Sequence, residues 1–109
     1  MYFREVYGKA IRLKEKQEQY AKLEEIINSL SNKDLVHITK MSEILYKTKD
    51  EIYEMLEYLN VVLLKMAKTN YKYTNCIKIV ESTKKRLKQN ANYDMSIDNM
   101  LFNMWEEVN

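Results

Sequence analysis

Apolar residues recur along this chain at gaps of three and four, with polar residues between them. From Phe3 to Leu30 the stripe reads Val6, Ala10, Leu13, Tyr20, Leu23, Ile27 and Leu30, with Gln17 filling one slot. That spacing predicts one long, charged helix with a single apolar face. Gly8 marks a weak point near its start. A short second helix has Leu35, Ile38, Met41, Ile44 and Leu45 inward. A third, to about Lys68, carries Ile52, Met55, Leu56, Leu59, Val62, Leu63 and Met66 on one broad face. A fourth runs from Tyr71 to about Gln89 on Tyr73, Cys76, Ile77, Val80 and Leu87. A fifth extends to about Glu107, with Ile97, Met100, Leu101, Met104 and Val108 inward and Trp105 at the edge.

Proline is absent and glycine occurs once, so the breaks must come from polar side chains. Ser31 has the spacing of an N-cap for the second helix, with Asp34 at the positive helix end. Thr48 and Glu51 form the Thr-x-x-Glu pattern of a capping box for the third. Asn70 separates the third and fourth helices. Asn90 and Asn92 tolerate the backbone of a helix stop, and Asp94 is a plausible cap for the fifth helix. Short polar connections favour antiparallel packing. The expectation is an all-α fold, a compact bundle of about five helices, with residues 1–109 as a single domain.

Some apolar residues fall off these inward faces. Tyr53, Tyr58, Val61 and Leu64 lie beside the main face of the third helix, and Met95 and Phe102 point away from that of the fifth. Tyr58, Val61, Leu64 and Phe102 are therefore candidates for a protein interface, where aromatic residues are favoured. The nine tyrosines follow helical spacing, which points to packing with hydroxyls at the surface rather than to stacking on bases.

Charge adds little. A formal net charge of +2 gives no field that by itself implies nucleic acid. The run Lys84, Lys85, Arg86, Lys88 is the one basic cluster, able to make weak phosphate contacts but also placed to complement a helix C-terminus. Candidate chemistry is absent. One glycine cannot build a phosphate-binding loop, and His37 has neither a second histidine nor a nearby nucleophile in the pattern. Cys76, the sole cysteine, lies on an apolar side and reads as a structural thiol. The adjacent acid pairs, such as Glu24 with Glu25, point to different helix faces. No catalytic residue, cofactor or metal is expected. Arg4, Glu5 and Lys9 interrupt the N-terminus and no apolar run is long enough to span a bilayer, so a cytoplasmic protein is expected.

The stretch from Cys76 to Asn109 resembles the C-terminus of the delta-prime subunit of the bacterial DNA polymerase III clamp loader. The residues that carry the resemblance are Lys85, Arg86 and Leu87 at the end of a basic helix, then Asn90-x-Asn92, then the apolar run Ile97, Met100, Leu101 and Met104. A weaker similarity extends back over Asp50 to Leu59, but Asn60 to Lys65 lacks the family's Arg-Asp pair. The related gamma/tau subunits share the Asn-x-Asn break. The resemblance implies a collar domain, the helical part of a subunit whose AAA+ modules would lie outside this chain. It implies partners among the other clamp-loader subunits, gamma/tau and delta, contact with DNA only indirectly, and membership of a bacterial replication machine whose holoenzyme is a DNA polymerase. An alternative from the residues alone is a stand-alone helical interaction or regulatory module, dimerising through Leu13, Tyr20, Leu23 and Ile27. A nucleic-acid-binding domain resting on the basic cluster ranks behind both.

Overall fold

A computed structural model describes the backbone of residues 2–32 and 34–109, and side-chain surroundings from Lys14 onward except at Lys33. The early stripe positions Val6, Ala10 and Leu13 thus lie outside the described side chains. Six α-helices follow one another: α1 Tyr2–Ser29, α2 Leu35–Met41, α3 Glu43–Lys47, α4 Ile52–Ala67, α5 Lys72–Lys88 and α6 Tyr93–Val108. A 3-10 turn, Lys49–Glu51, leads into α4, and no strand occurs among the described residues. The expected all-α bundle is what forms.

The second helix is broken where one had been expected. Buried Ser42 turns its hydroxyl back onto the Ile38 carbonyl at 2.7 Å, competing with the helical ladder. Its backbone, at φ −86° and ψ 10°, ends α2 and begins α3. Both pieces run the same way along α6. Tyr46 donates to Asp98, and Tyr93 donates to the Leu45 carbonyl. At the opposite end, the Asn109 amide reaches the Leu30 carbonyl at 2.7 Å and closes the α1–α2 junction.

Three of the caps differ from those expected. Asp34, not Ser31, caps α2, accepting from the His37 N–H at 2.7 Å. Thr48 makes no capping box. Its hydroxyl points back to the Ile44 carbonyl at 2.6 Å, and the 3-10 turn takes the place of a capped start. For α6 the cap is Asn92, accepting from the Met95 N–H at 3.0 Å, rather than Asp94. Asn70 acts as expected, accepting from the Lys72 N–H at 3.0 Å.

Side-chain pairs give the helix directions. Lys16 meets Glu54 and Tyr20 meets Tyr58, so α1 and α4 are parallel. Glu57 meets Lys84 and Asn60 meets Glu81, so α4 and α5 are antiparallel. Asn75 meets Glu107, which makes α5 and α6 antiparallel. The α2–α3 pair returns the chain between α1 and α4, which is why those two run together. Each rod touches two neighbours in the closed order α1, α4, α5, α6, α2–α3.

The core inside that ring is apolar. Leu23, Ile26, Ile27 and Leu30 from α1 meet Leu56, Leu59 and Leu63 from α4, all fully buried. Ile38, Leu45, Val80, Ile97 and Met104 complete it from the other elements. Ile26 was not part of the expected stripe, yet it is as buried as Ile27.

The α5–α6 corner is held by backbone bonds. Asn90 adopts φ 59°, the only positive value among the described non-glycine residues. The Ala91 N–H bonds the Arg86 carbonyl at 3.1 Å and the Asn90 N–H bonds the Leu87 carbonyl at 3.3 Å. That is the paired pattern of a Schellman motif, which needs a left-handed residue between its two bonds. Asn90→Gly should therefore change stability by less than ~0.5 kcal/mol, whereas Asn90→Val should cost about 1–2 kcal/mol. Urea unfolding of both variants checks this. Equal losses would mean that the left-handed backbone does not set the corner.

Candidate interaction surface

Helix α4 divides cleanly at ~100° per residue. Its inner arc is Ile52, Met55, Leu56, Leu59, Val62 and Leu63, all buried. Its outer arc contains Tyr53, Glu57, Val61, Leu64 and Lys68, all exposed. Val61 is 50% and Leu64 61% exposed, and the two are neighbours three residues apart. The expectation that they lie off the core is met by the geometry. Tyr58 is different: it is half-buried and stacks on Tyr20 with ring centroids 4.1 Å apart and planes 8° from parallel. It joins α1 to α4 and is only partly exposed.

Beside that stack, Glu54 accepts from both Lys16 and the Tyr20 hydroxyl. Those hydrogen bonds hold its carboxyl below the usual carboxylate range. The same Tyr20, with buried Leu23 and Ile27, is already used inside the bundle. The stripe considered for a homodimer through α1 is thus occupied, apart from Leu13, which lies outside the described side chains.

The expected basic cluster is split by the α4–α5 seam. Lys84 is only 8% exposed and pairs with Glu57 and, at 3.1 Å, with Glu81. Burial by itself lowers its ammonium, but hydrogen bonds to Glu57 and Glu81 outweigh that, and the net shift is upward. Glu81 also accepts from the Asn60 amide at 2.7 Å, while the Asn60 Oδ1 is buried with no partner among the described residues. Lys88 lies over the Tyr53 ring, 5.4 Å being the comparable distance of Lys49 from Tyr93 and 5.9 Å its own. Lys85 and Arg86 are exposed and have no such tie among the described residues. The sequence groups Lys84 with them because four basic residues fall within five positions, and it does not show which one turns under Glu57.

On α6, Met95 is 63% and Phe102 42% exposed. Phe102 sits 6.4 Å from the half-buried Trp105 ring, tilted by 36°. Four acids and no base lie along this helix, and Asp98 holds the Tyr46 hydroxyl. Helix α5 has the opposite character, with six basic residues against Glu81 alone.

Reactive groups are not gathered anywhere among the described residues. Cys76 is fully buried in the core, where burial, with a smaller contribution from Glu107, pushes its thiol up to about 12. A thiol so held stays protonated at neutral pH and is a poor nucleophile. His37 is exposed and serves α2 only through its backbone. No group of three or more His, Cys, Asp or Glu suited to a metal occurs among the described residues. No described helix is long and apolar enough to cross a membrane. Comparison with protein-family models, curated proteins and solved structures found no match. What the molecule offers chemically is surface: two outer helix faces with exposed apolar residues and opposite charge.

The Lys84 site makes two predictions. Lys84→Glu sets a third carboxylate against Glu57 and Glu81 and should destabilise by about 2 kcal/mol. Lys85→Glu, facing solvent, should change stability by less than ~0.5 kcal/mol. Chemical denaturation of both variants separates them, and equal effects would mean Lys84 is no more engaged than its neighbour. Because the Lys84 ammonium is raised in the folded state, its contribution is present at neutral pH. It should be lost only as pH rises through the folded value, above the usual lysine range. A Lys84→Met variant should flatten that alkaline decline in a pH series of unfolding midpoints.

Proposed function

We propose that this chain is the helical collar domain of the delta-prime subunit of the bacterial DNA polymerase III clamp loader. In that role it acts as a scaffold in the cytoplasm. It binds neighbouring gamma/tau and delta subunits side by side and touches DNA only through the assembly. It carries out no chemical step of its own.

One observation carries this reading. The residues of the resemblance are those that build the α5–α6 corner. Asn90 takes the left-handed position and Asn92 caps α6. Leu87 packs against the core, and Ile97, Met100, Leu101 and Met104 are buried. The corner needs a left-handed residue and an N-cap, and the motif supplies asparagine at both positions. The second support is the surface. Val61, Leu64 and Phe102 remain exposed, and exposed apolar residues beside polar ones suit a protein contact.

Size exclusion with light scattering on this chain mixed with gamma/tau and delta subunits tests the proposal. The account expects a mixed complex that is lost on Val61→Glu or Phe102→Glu, with the helical circular dichroism of each variant unchanged. No complex with either subunit, from a chain that is folded, would contradict the collar reading.

A further inference from the structure

The two outer faces described above differ in charge and match in spacing. The first is the α4–α5 seam. The antiparallel register set by Glu57 with Lys84 and by Asn60 with Glu81 brings Leu64 of α4 opposite the half-buried Ile77 of α5. This apolar strip is bordered on the α5 side by exposed Lys78 and Lys85, with Glu81 between them engaged by Lys84 and Asn60. The two lysines are seven residues apart, about 10 Å along a helix. No ion pair holds either of them among the described residues.

The second face is the outside of α6. Phe102 projects there midway between Asp98 and Glu106, both exposed, Asp98 keeping one carboxylate oxygen beyond the one that accepts from Tyr46. Those acids are eight residues apart, about 12 Å along the helix. An apolar residue between two carboxylates thus has nearly the same pitch as an apolar strip beside two ammonium groups. Lysine side chains, long and flexible, can take up the remaining difference.

We propose that the α6 face of one copy of this chain docks on the α4–α5 seam of a second copy. Phe102 covers Leu64 and Ile77, while Asp98 and Glu106 lie against Lys78 and Lys85. A surface of this kind gains association rate and orientation from the charges and holding strength from the buried aromatic anchor. Because the donor and acceptor faces differ, the contact is head-to-tail rather than two-fold. The inference goes beyond the collar reading and does not depend on it, since it concerns copies of this chain in the absence of any other subunit.

Complementation between two blocked variants tests it. Lys85→Glu spoils the acceptor face and leaves α6 intact. Glu106→Lys and, separately, Phe102→Glu spoil the donor face and leave the seam intact. Circular dichroism establishes that each variant keeps the helical fold. By light scattering after size exclusion, the unmodified chain should self-associate as its concentration rises, and less so at high ionic strength. Each variant alone should self-associate at least ~10-fold more weakly. An equimolar mixture of Lys85→Glu with Phe102→Glu should form a pair of twice the monomer mass, because one intact face of each kind survives. An unmodified chain that stays monomeric at every concentration would overturn the proposal. So would variants that associate as the original does, the result expected of a symmetric dimer through some other face, or a mixture that fails to pair.

Discussion

The inner arc of α4 is the constraint on which the rest of this structure depends. Met55, Leu56, Leu59, Val62 and Leu63 must all leave water at once, and no single neighbour is wide enough to cover them. Helix α1 covers one flank in parallel and α5 covers the other in antiparallel orientation. Helix α6 and the α2–α3 pair then close the ring over what remains. Burial of each large aliphatic side chain contributes about 1.5–3 kcal/mol, so this shared face outweighs any surface pair in the molecule.

The polar contacts orient rods that the core has brought together. Lys16 with Glu54 and the Tyr20–Tyr58 stack fix α1 along α4. Lys84, between Glu57 and Glu81, fixes the register of α4 on α5. Tyr46, Tyr93 and Asn109 fix α6 at both of its ends. That register has a consequence for the outside of the bundle. It sets Leu64 of α4 level with Ile77 of α5 and leaves Lys78 and Lys85 exposed on α5 and Asp98 and Glu106 exposed on α6. The charge asymmetry of the surface is thus a product of how the core is packed, although the chain as a whole is nearly balanced.

Much of this was legible from residue spacing, because helical period and burial are tightly linked. Every inward residue assigned to α4 and α6 is buried or half-buried, and Val61, Leu64, Met95 and Phe102 stand outside as their positions imply. The caps were less legible. Ser31, Thr48 and Asp94 each satisfy a local pattern, but Asp34 and Asn92 stand immediately before the helix starts, and Thr48 is drawn back to Ile44. The choice depends on where tertiary packing ends the previous element, which a four-residue pattern does not contain. Ser42 and Lys84 fail for the same reason. A serine inside an apolar run and a lysine inside a basic run look ordinary until the neighbouring turn and the facing helix are known. Among the candidate interface residues, Tyr58 looked equivalent to Val61, and only the position of Tyr20 distinguishes them.

The proposed function rests on the outer helix faces, where Val61, Leu64 and Phe102 are exposed. The Asn90 corner and its capped sequel at Asn92 connect the fold to the clamp-loader resemblance, and the exposed residues of α4 and α6 give that reading its contact surfaces. The most direct test is hydroxyl-radical footprinting of the chain alone and in the presence of gamma/tau and delta subunits. The account predicts that Leu64, Met95 and Phe102 lose reactivity in the mixture, while Val36 on α2 stays as reactive as before. Unchanged reactivity at Leu64 and Phe102 in a mixture that has formed a complex would contradict it.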